Sequence, residues 1–217
     1  MPLLDRAEFA TPEELLGVQR SNWERQQAQV LASPFLRRAW GRATPPSRFD
    51  DLTAALPALP LIDKQMLRES QAAHPPFGDY LAAPPERVVR LHRTSGTTGT
   101  AMNIALSAQD AHETAVVGGR CQAASGLGPG HRVVHCLNYQ LWMGGYTDHA
   151  TLEATGATVI PFGVGSSGLL LRTIRELAVT AISCTPSYPA VLEQAIAREM
   201  PGTAPRDLGL KLGLFGG

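Results

Sequence analysis

From residue 131 onward the chain alternates short apolar runs with longer amphipathic ones, and few folds accommodate that order. "HRVVHCLN" (131–138), "ATVIP" (157–161), "TAISC" (180–184) and "LKLGLFG" (210–216) read as strands. The intervening stretches, about 146–155, 168–178 and 187–199, read as helices. Such alternation implies an α/β fold, a mostly parallel sheet with helices on both faces. The strands are rich in β-branched residues and lack clean polar alternation, which fits burial on both sides. Just upstream, a strand at 88–93 and one at 102–106 flank a loop of small residues, and a helix runs from Ser107 to near Gly126.

Residues 1–86 read instead as a helical lead-in with proline-rich connections. Thr11-Pro12-Glu13-Glu14 combines an N-cap threonine, proline at the first helical position and glutamate at the third. That helix is expected to reach Ala32 and stop before Pro34, with a short helix following through Leu36 and Trp40. A further helix is capped by Asp63, and "AAHPPFGDYLAAPPE" reads as an extended connection. Residues 87–217 are expected to form a truncated nucleotide- and acyl-binding α/β subdomain. The sequence ends on Gly216 and Gly217 at the tip of a predicted central strand, where open α/β sheets bind ligands. The expectation is therefore the N-terminal part of a longer protein, with its C-terminal domain absent.

Lys+Arg and Asp+Glu both number 19, so there is no basic field to hold nucleic acid or an anionic membrane. Cys121, Cys136 and Cys184 show neither CxxC nor zinc spacing and read as reduced thiols. No apolar run approaches the ~20 residues of a membrane span, so the expected location is the cytoplasm.

The loop Thr94-Ser95-Gly96-Thr97-Thr98-Gly99-Thr100 holds five hydroxyls and two glycines. Glycines let a ligand approach the backbone, consecutive N–H groups form an anion-binding concavity, and hydroxyls add uncharged donors. The combination suits the phosphates of a nucleotide triphosphate. It is not a Walker loop, because no lysine follows and a strand stands where that motif needs a helix. Gly163-Val164-Gly165-Ser166-Ser167-Gly168 fits G-x-G-x-x-G between a strand and a helix, but the next strand ends in Cys184-Thr185-Pro186 with no acid for a ribose. It reads as a glycine-rich loop near the cleft. His131 and His135 share a strand face, but two ligands make no metal site, and no metal-ligand set is expected. No G-x-S-x-G elbow supports hydrolase chemistry. "NYQLWMGGY" (138–146) sets Tyr139 and Trp142 beside two glycines at a strand tip, a pattern suited to a flat apolar slot.

Together these segments resemble the phenylacetate–CoA ligases, within the adenylate-forming acyl-CoA synthetases. The resemblance is carried by "SGTTG" (95–99), "LPLIDKQMLRES", "YQLWMGG" (139–145), "LEATGATVIPF", "CTPSY" (184–188) and "LKLGLFGG", in the family's order and at similar spacing. It implies ATP-dependent activation of an aromatic acid as acyl-adenylate, then transfer to the thiol of coenzyme A, with Mg2+ neutralising phosphate charge. It assigns Thr94 to Thr100 to the ATP phosphates. Tyr139, Trp142, Gly144 and Gly145 are assigned to the acyl pocket, with Pro186, Ser187 and Tyr188 beside it. Gly216 and Gly217 begin a loop flanking adenine and acyl carboxylate. A small aromatic acid as partner and a homodimer are also implied.

Two departures stand out. Thr100 occupies a position where the family commonly has lysine. The catalytic residues are expected beyond Gly217, so the chain alone is expected to show little ligase activity. The alternatives are an adenylating enzyme with an amine or carrier-protein acceptor, and a non-catalytic truncated relative that binds a nucleotide or a partner.

Overall fold

Thr11 opens the first helix of the computed structural model, which describes residues 9–43, 45–94 and 100–216. The Thr11 hydroxyl accepts the Glu14 N–H at 3.2 Å, and the Glu14 carboxylate accepts the Thr11 N–H at 2.8 Å. This reciprocal cap starts α1 (Pro12–Ala32). Ser33 ends it and starts α2 (Pro34–Trp40), its hydroxyl accepting the Leu36 N–H at 3.3 Å. After α3 (Phe49–Ala55), the Asp63 carboxylate accepts the Met66 N–H at 2.9 Å and opens α4 (Lys64–Ala73).

The described residues form two compact units that meet in sequence between Ala108 and Gln109. The first ends in a hairpin of β1 (Val88–Arg93) and β2 (Asn103–Ser107), paired antiparallel as a sheet of their own. The physical reason is length, because a parallel crossover needs a dozen or more residues. The exit strand is fixed from outside. Gln71 of α4 accepts the Asn103 N–H at 2.7 Å and donates to the Ala101 carbonyl at 3.0 Å. The Tyr80 hydroxyl donates to the Asn103 carbonyl at 2.9 Å, and the Asn103 amide donates to the Pro76 carbonyl at 2.7 Å. The lead-in helix and the proline-rich connection thus hold one limb of the hairpin.

The second unit follows the expected alternation: α5 (Ala108–Ala124), β3 (Arg132–His135), α6 (Met143–Ala154), β4 (Thr158–Pro161), α7 (Ser167–Glu176), β5 (Ala181–Cys184), α8 (Tyr188–Glu199) and β6 (Leu212–Phe215). The strands form one parallel sheet in the order β4-β3-β5-β6. Successive strand residues point to opposite faces. Val133 and Ala181 pack with Leu127 and with Leu152 of α6. Val134, Ile182 and Cys184 pack with Leu170, Leu171 and Ile174 of α7 and with Leu192 and Ile196 of α8. Helices therefore cover both faces, as the sequence implies. Gly118 and Gly119 let α5 close onto α6: a Cβ on Gly118 would lie 2.3 Å from the Thr151 methyl, and one on Gly119 2.9 Å from the Ala154 Cβ.

Two boundaries differ from expectation. The strand predicted over 131–138 leaves the ladder after His135, and the helix expected from residue 146 begins at Met143. Gly144 and Gly145 therefore lie in the first turn of α6, against their helix propensity. Packing overrides the propensity, because neither glycine has room for a side chain.

Candidate functional site

The helix after β3 and the helix after β5 cover opposite faces of the sheet, although the two strands are neighbours. A crevice opens outside strand tips wherever connections diverge in this way, and open α/β folds bind ligands there. A cleft of about 290 Å³ occupies this place. Cys136, Leu137, Asn138 and Trp142 line it from the β3 side, Thr185 and Tyr188 from the β5 side, and Gly163, Val164 and Gly165 from the loop after β4. None of the lining side chains is charged. The volume lies near the lower end of the range, roughly 300 to 1,000 Å³, typical of small-molecule sites.

His135 organises the floor behind this cleft. Its ring is fully buried, with Nε2 3.0 Å from the Gly144 carbonyl and 3.1 Å from that of Gly145, and Nδ1 3.0 Å from the Ser183 hydroxyl. Carbonyls only accept, so Nε2 carries the proton and Nδ1 accepts from Ser183. Burial holds the imidazole below its ordinary pKa, which keeps it neutral. His135 thereby ties the first turn of α6 to β3 and β5. Burial also pushes the Cys136 thiol up to about 12 and that of Cys184 up to about 11, so neither is a thiolate nucleophile.

The structure brings Trp142 and Tyr188 to the cleft. Tyr139 lies behind it, its ring beside Gly163 and its hydroxyl 2.9 Å from His149 Nδ1. Gly144 makes room for the Trp142 indole, since a Cβ there would lie 2.6 Å from the ring. Gly145 makes room for backbone: its Cβ would lie 2.4 Å from the Asn138 carbonyl oxygen. Pro186 and Ser187 are exposed just before α8. The Gly216 N–H donates to the Cys184 carbonyl at 3.2 Å, which extends the ladder past β6. Gly217 lies outside the described residues, as do Ser95, Gly96, Thr97, Thr98 and Gly99.

Of the loop 94–100 expected to hold phosphate, the two flanks, Thr94 and Thr100, are described. The Thr94 N–H donates to the Met102 carbonyl and the Met102 N–H donates to the Thr94 hydroxyl, both at 3.0 Å. The hairpin thus stays zipped up to Thr94, and Thr100 is exposed.

The decoys resolve clearly. Ser166 caps α7 by accepting the Leu169 N–H at 3.4 Å, so the motif is a strand-to-helix connection as expected, with Ser167 and Gly168 already in the first turn of the helix. The space at Gly168, where a dinucleotide motif admits close packing or phosphate, is taken by Glu199: a Cβ would lie 1.8 Å from its Oε2. A carboxylate already sits at this helix start, which disfavours a pyrophosphate there. His131 bonds the Thr180 hydroxyl through Nδ1 at 3.0 Å. Among the described residues, no group of three or more His, Cys, Asp or Glu is arranged to hold a metal, and no helix is long and apolar enough to cross a membrane.

Sequence reasoning missed His149 and Glu153, whose i, i+4 spacing on α6 puts them on one face. His149 Nε2 lies 3.1 Å from Glu153 Oε1. The spacing alone was legible, but its link to Tyr139 depends on a fold the sequence does not spell out.

This architecture is that of adenylate-forming CoA ligases. A 2-hydroxyisobutyryl-CoA ligase, solved with 2-HIB-AMP and CoA, superposes with a TM-score of 0.83 at 31% identity over 95% of the chain and 44% of that protein. By sequence the chain corresponds to an N-terminal portion of the phenylacetate–CoA ligase family. It is 34% identical over 206 residues to the phenylacetate-coenzyme A ligase of Thermus thermophilus, covering 94% of the chain and 44% of the relative. The enzyme of that name from Escherichia coli is 33% identical over 98% of the chain and 48% of its own length. The chain therefore spans somewhat under half the length of these curated relatives. No protein-family model matches it.

Proposed function

We propose that this chain supplies the acid cleft and the ATP-phosphate turn of an ATP-dependent ligase. That ligase joins an aromatic carboxylic acid to coenzyme A by way of an acyl-adenylate. One observation carries the reading: an apolar, uncharged cleft, bearing Trp142 and Tyr188, opens where the connections after β3 and β5 diverge. A flat ring is favoured there by aromatic side chains and a glycine-bearing loop. A second carboxylate is disfavoured, since no lining cation would compensate its burial. The acid's own carboxylate is then left toward the mouth, where it can meet the α-phosphate.

The chemistry needs no side-chain nucleophile. The carboxylate oxygen forms a bond to the α-phosphorus as the bond to pyrophosphate breaks. The thiol sulfur of coenzyme A then attacks the acyl carbon, and AMP leaves. Rate enhancement in such a sequence comes from alignment and from neutralising developing phosphate charge. In this reading Thr94 and Thr100 flank the phosphate turn, and Gly163 and Gly165 line the cleft together with Trp142. Mg2+ would be carried by the ATP phosphates, where it would neutralise their charge.

The test is ATP–pyrophosphate exchange by the protein that carries this chain. Exchange should require an aromatic acid such as phenylacetate and should fall sharply with a dicarboxylate of similar size. No exchange with any acid of a broad panel would remove the proposal.

A further inference from the structure

Resting on the acid-cleft reading, we infer that His149 and Glu153 are positioning residues that fix the back wall of the cleft through Tyr139. The chain of contacts is continuous. Glu153 Oε1 lies 3.1 Å from His149 Nε2, and a carboxylate only accepts, so Nε2 carries the proton. In the neutral ring His149 Nδ1 is then an acceptor, 2.9 Å from the Tyr139 hydroxyl, which donates to it. The Tyr139 ring lies 3.4 Å from where a Cβ of Gly163 would be, and Gly163 lines the cleft. Gly163 holds φ +70°, a left-handed conformation that favours glycine at this point of the wall.

The imidazole is itself clamped. Tyr146, three residues earlier on α6, stacks on it with a centroid distance of 6.1 Å and an interplanar angle of 14°. The His135 and Tyr139 rings meet edge to face at 5.5 Å. Tyr139 is half-buried, and a phenol there needs an acceptor. With His149 removed, the hydroxyl is either left without its partner or swings with its ring toward Gly163. Either outcome changes the part of the cleft wall that Gly163 forms. The relay thus sets cleft depth without touching the acid, and it acts on acid recognition rather than on ATP.

The experiment uses the full chain with Trp23 and Trp40 replaced by phenylalanine, so that Trp142 reports alone. Phenylacetate and ATP binding are measured separately in Tyr139→Phe, His149→Phe and the double variant. His149→Phe and Tyr139→Phe should each weaken phenylacetate about three- to tenfold, the scale of one lost hydrogen bond. ATP affinity should stay within about twofold, and the double variant should be no weaker than either single, as expected for one shared interaction. Equal losses for ATP and acid, or additive losses, would overturn the relay. Should the parent chain bind no phenylacetate, the cleft reading fails on its own. Acrylamide quenching of Trp142 then decides the relay separately: His149→Phe should raise the quenching constant at least about twofold, and unchanged quenching overturns it.

Discussion

His135 donates through Nε2 to the carbonyls of Gly144, at 3.0 Å, and Gly145, so a buried neutral imidazole ties the first turn of α6 to the sheet. The glycines allow this turn to come close, and the histidine satisfies carbonyls beside them. Position, rather than titration, is the role of this side chain.

The pH dependence of stability follows from that burial. The folded pKa of His135 lies below its ordinary 6.5. Its contribution is therefore complete above about pH 6.5 and is lost as the pH falls through that value toward the folded pKa. Asp148 has the opposite sign, because burial pushes its carboxyl from 3.8 up to about 6. It favours the folded state below about pH 4, and that advantage disappears as the pH rises toward 6. Urea titrations should show Asp148→Asn stabilising the chain at pH 7 by about 1 to 3 kcal/mol and flattening the profile between those limits. His135→Gln should flatten the acid limb below pH 6.5 instead.

Two glycine substitutions should separate rigid from yielding contacts. Gly145→Ala drives a methyl against the Asn138 carbonyl and the Tyr139 Cα, at 2.4 and 2.6 Å, and backbone cannot step aside. A loss of about 3 kcal/mol is expected by chemical denaturation. Gly168→Ala meets only the end of the Glu199 side chain, which can rotate into solvent. The better helix propensity of alanine offsets most of that cost, and the change should stay within about 1 kcal/mol.

Gln71→Ala should loosen the hairpin without unfolding the helices. It removes the acceptor of the Asn103 N–H and the donor to the Ala101 carbonyl. The expected cost is about 2 kcal/mol. Hydrogen exchange should accelerate at Met102 and Asn103, while amides of α1 stay unchanged. Equal acceleration throughout the N-terminal unit would show that Gln71 supports the whole unit rather than the hairpin.

Local chemistry was well written in the sequence. Thr11 and Asp63 cap the helices they precede, and the alternation after residue 131 becomes a parallel sheet. Residues whose meaning depends on distant partners were harder to read. Gly144 and Gly145 look like a break, yet they are helical because Trp142 and the Asn138 carbonyl occupy their side-chain space. Tyr139 reads as a cleft residue, but its hydroxyl is drawn to His149, ten positions away on α6. Glu199 gives no sign in sequence that it fills the space beside Gly168, thirty-one residues earlier.

The central claim is that the crevice at the tips of β3 and β5 receives the ring of an aromatic acid. The most direct measurement is photolabelling with a diazirine-bearing phenylacetate, mapped by peptide mass spectrometry. The account predicts label on Trp142, Tyr188 and the 163–165 loop, suppressed by unlabelled phenylacetate. Competed label confined instead to the cavity lined by Phe35, Arg38 and His74 would contradict it.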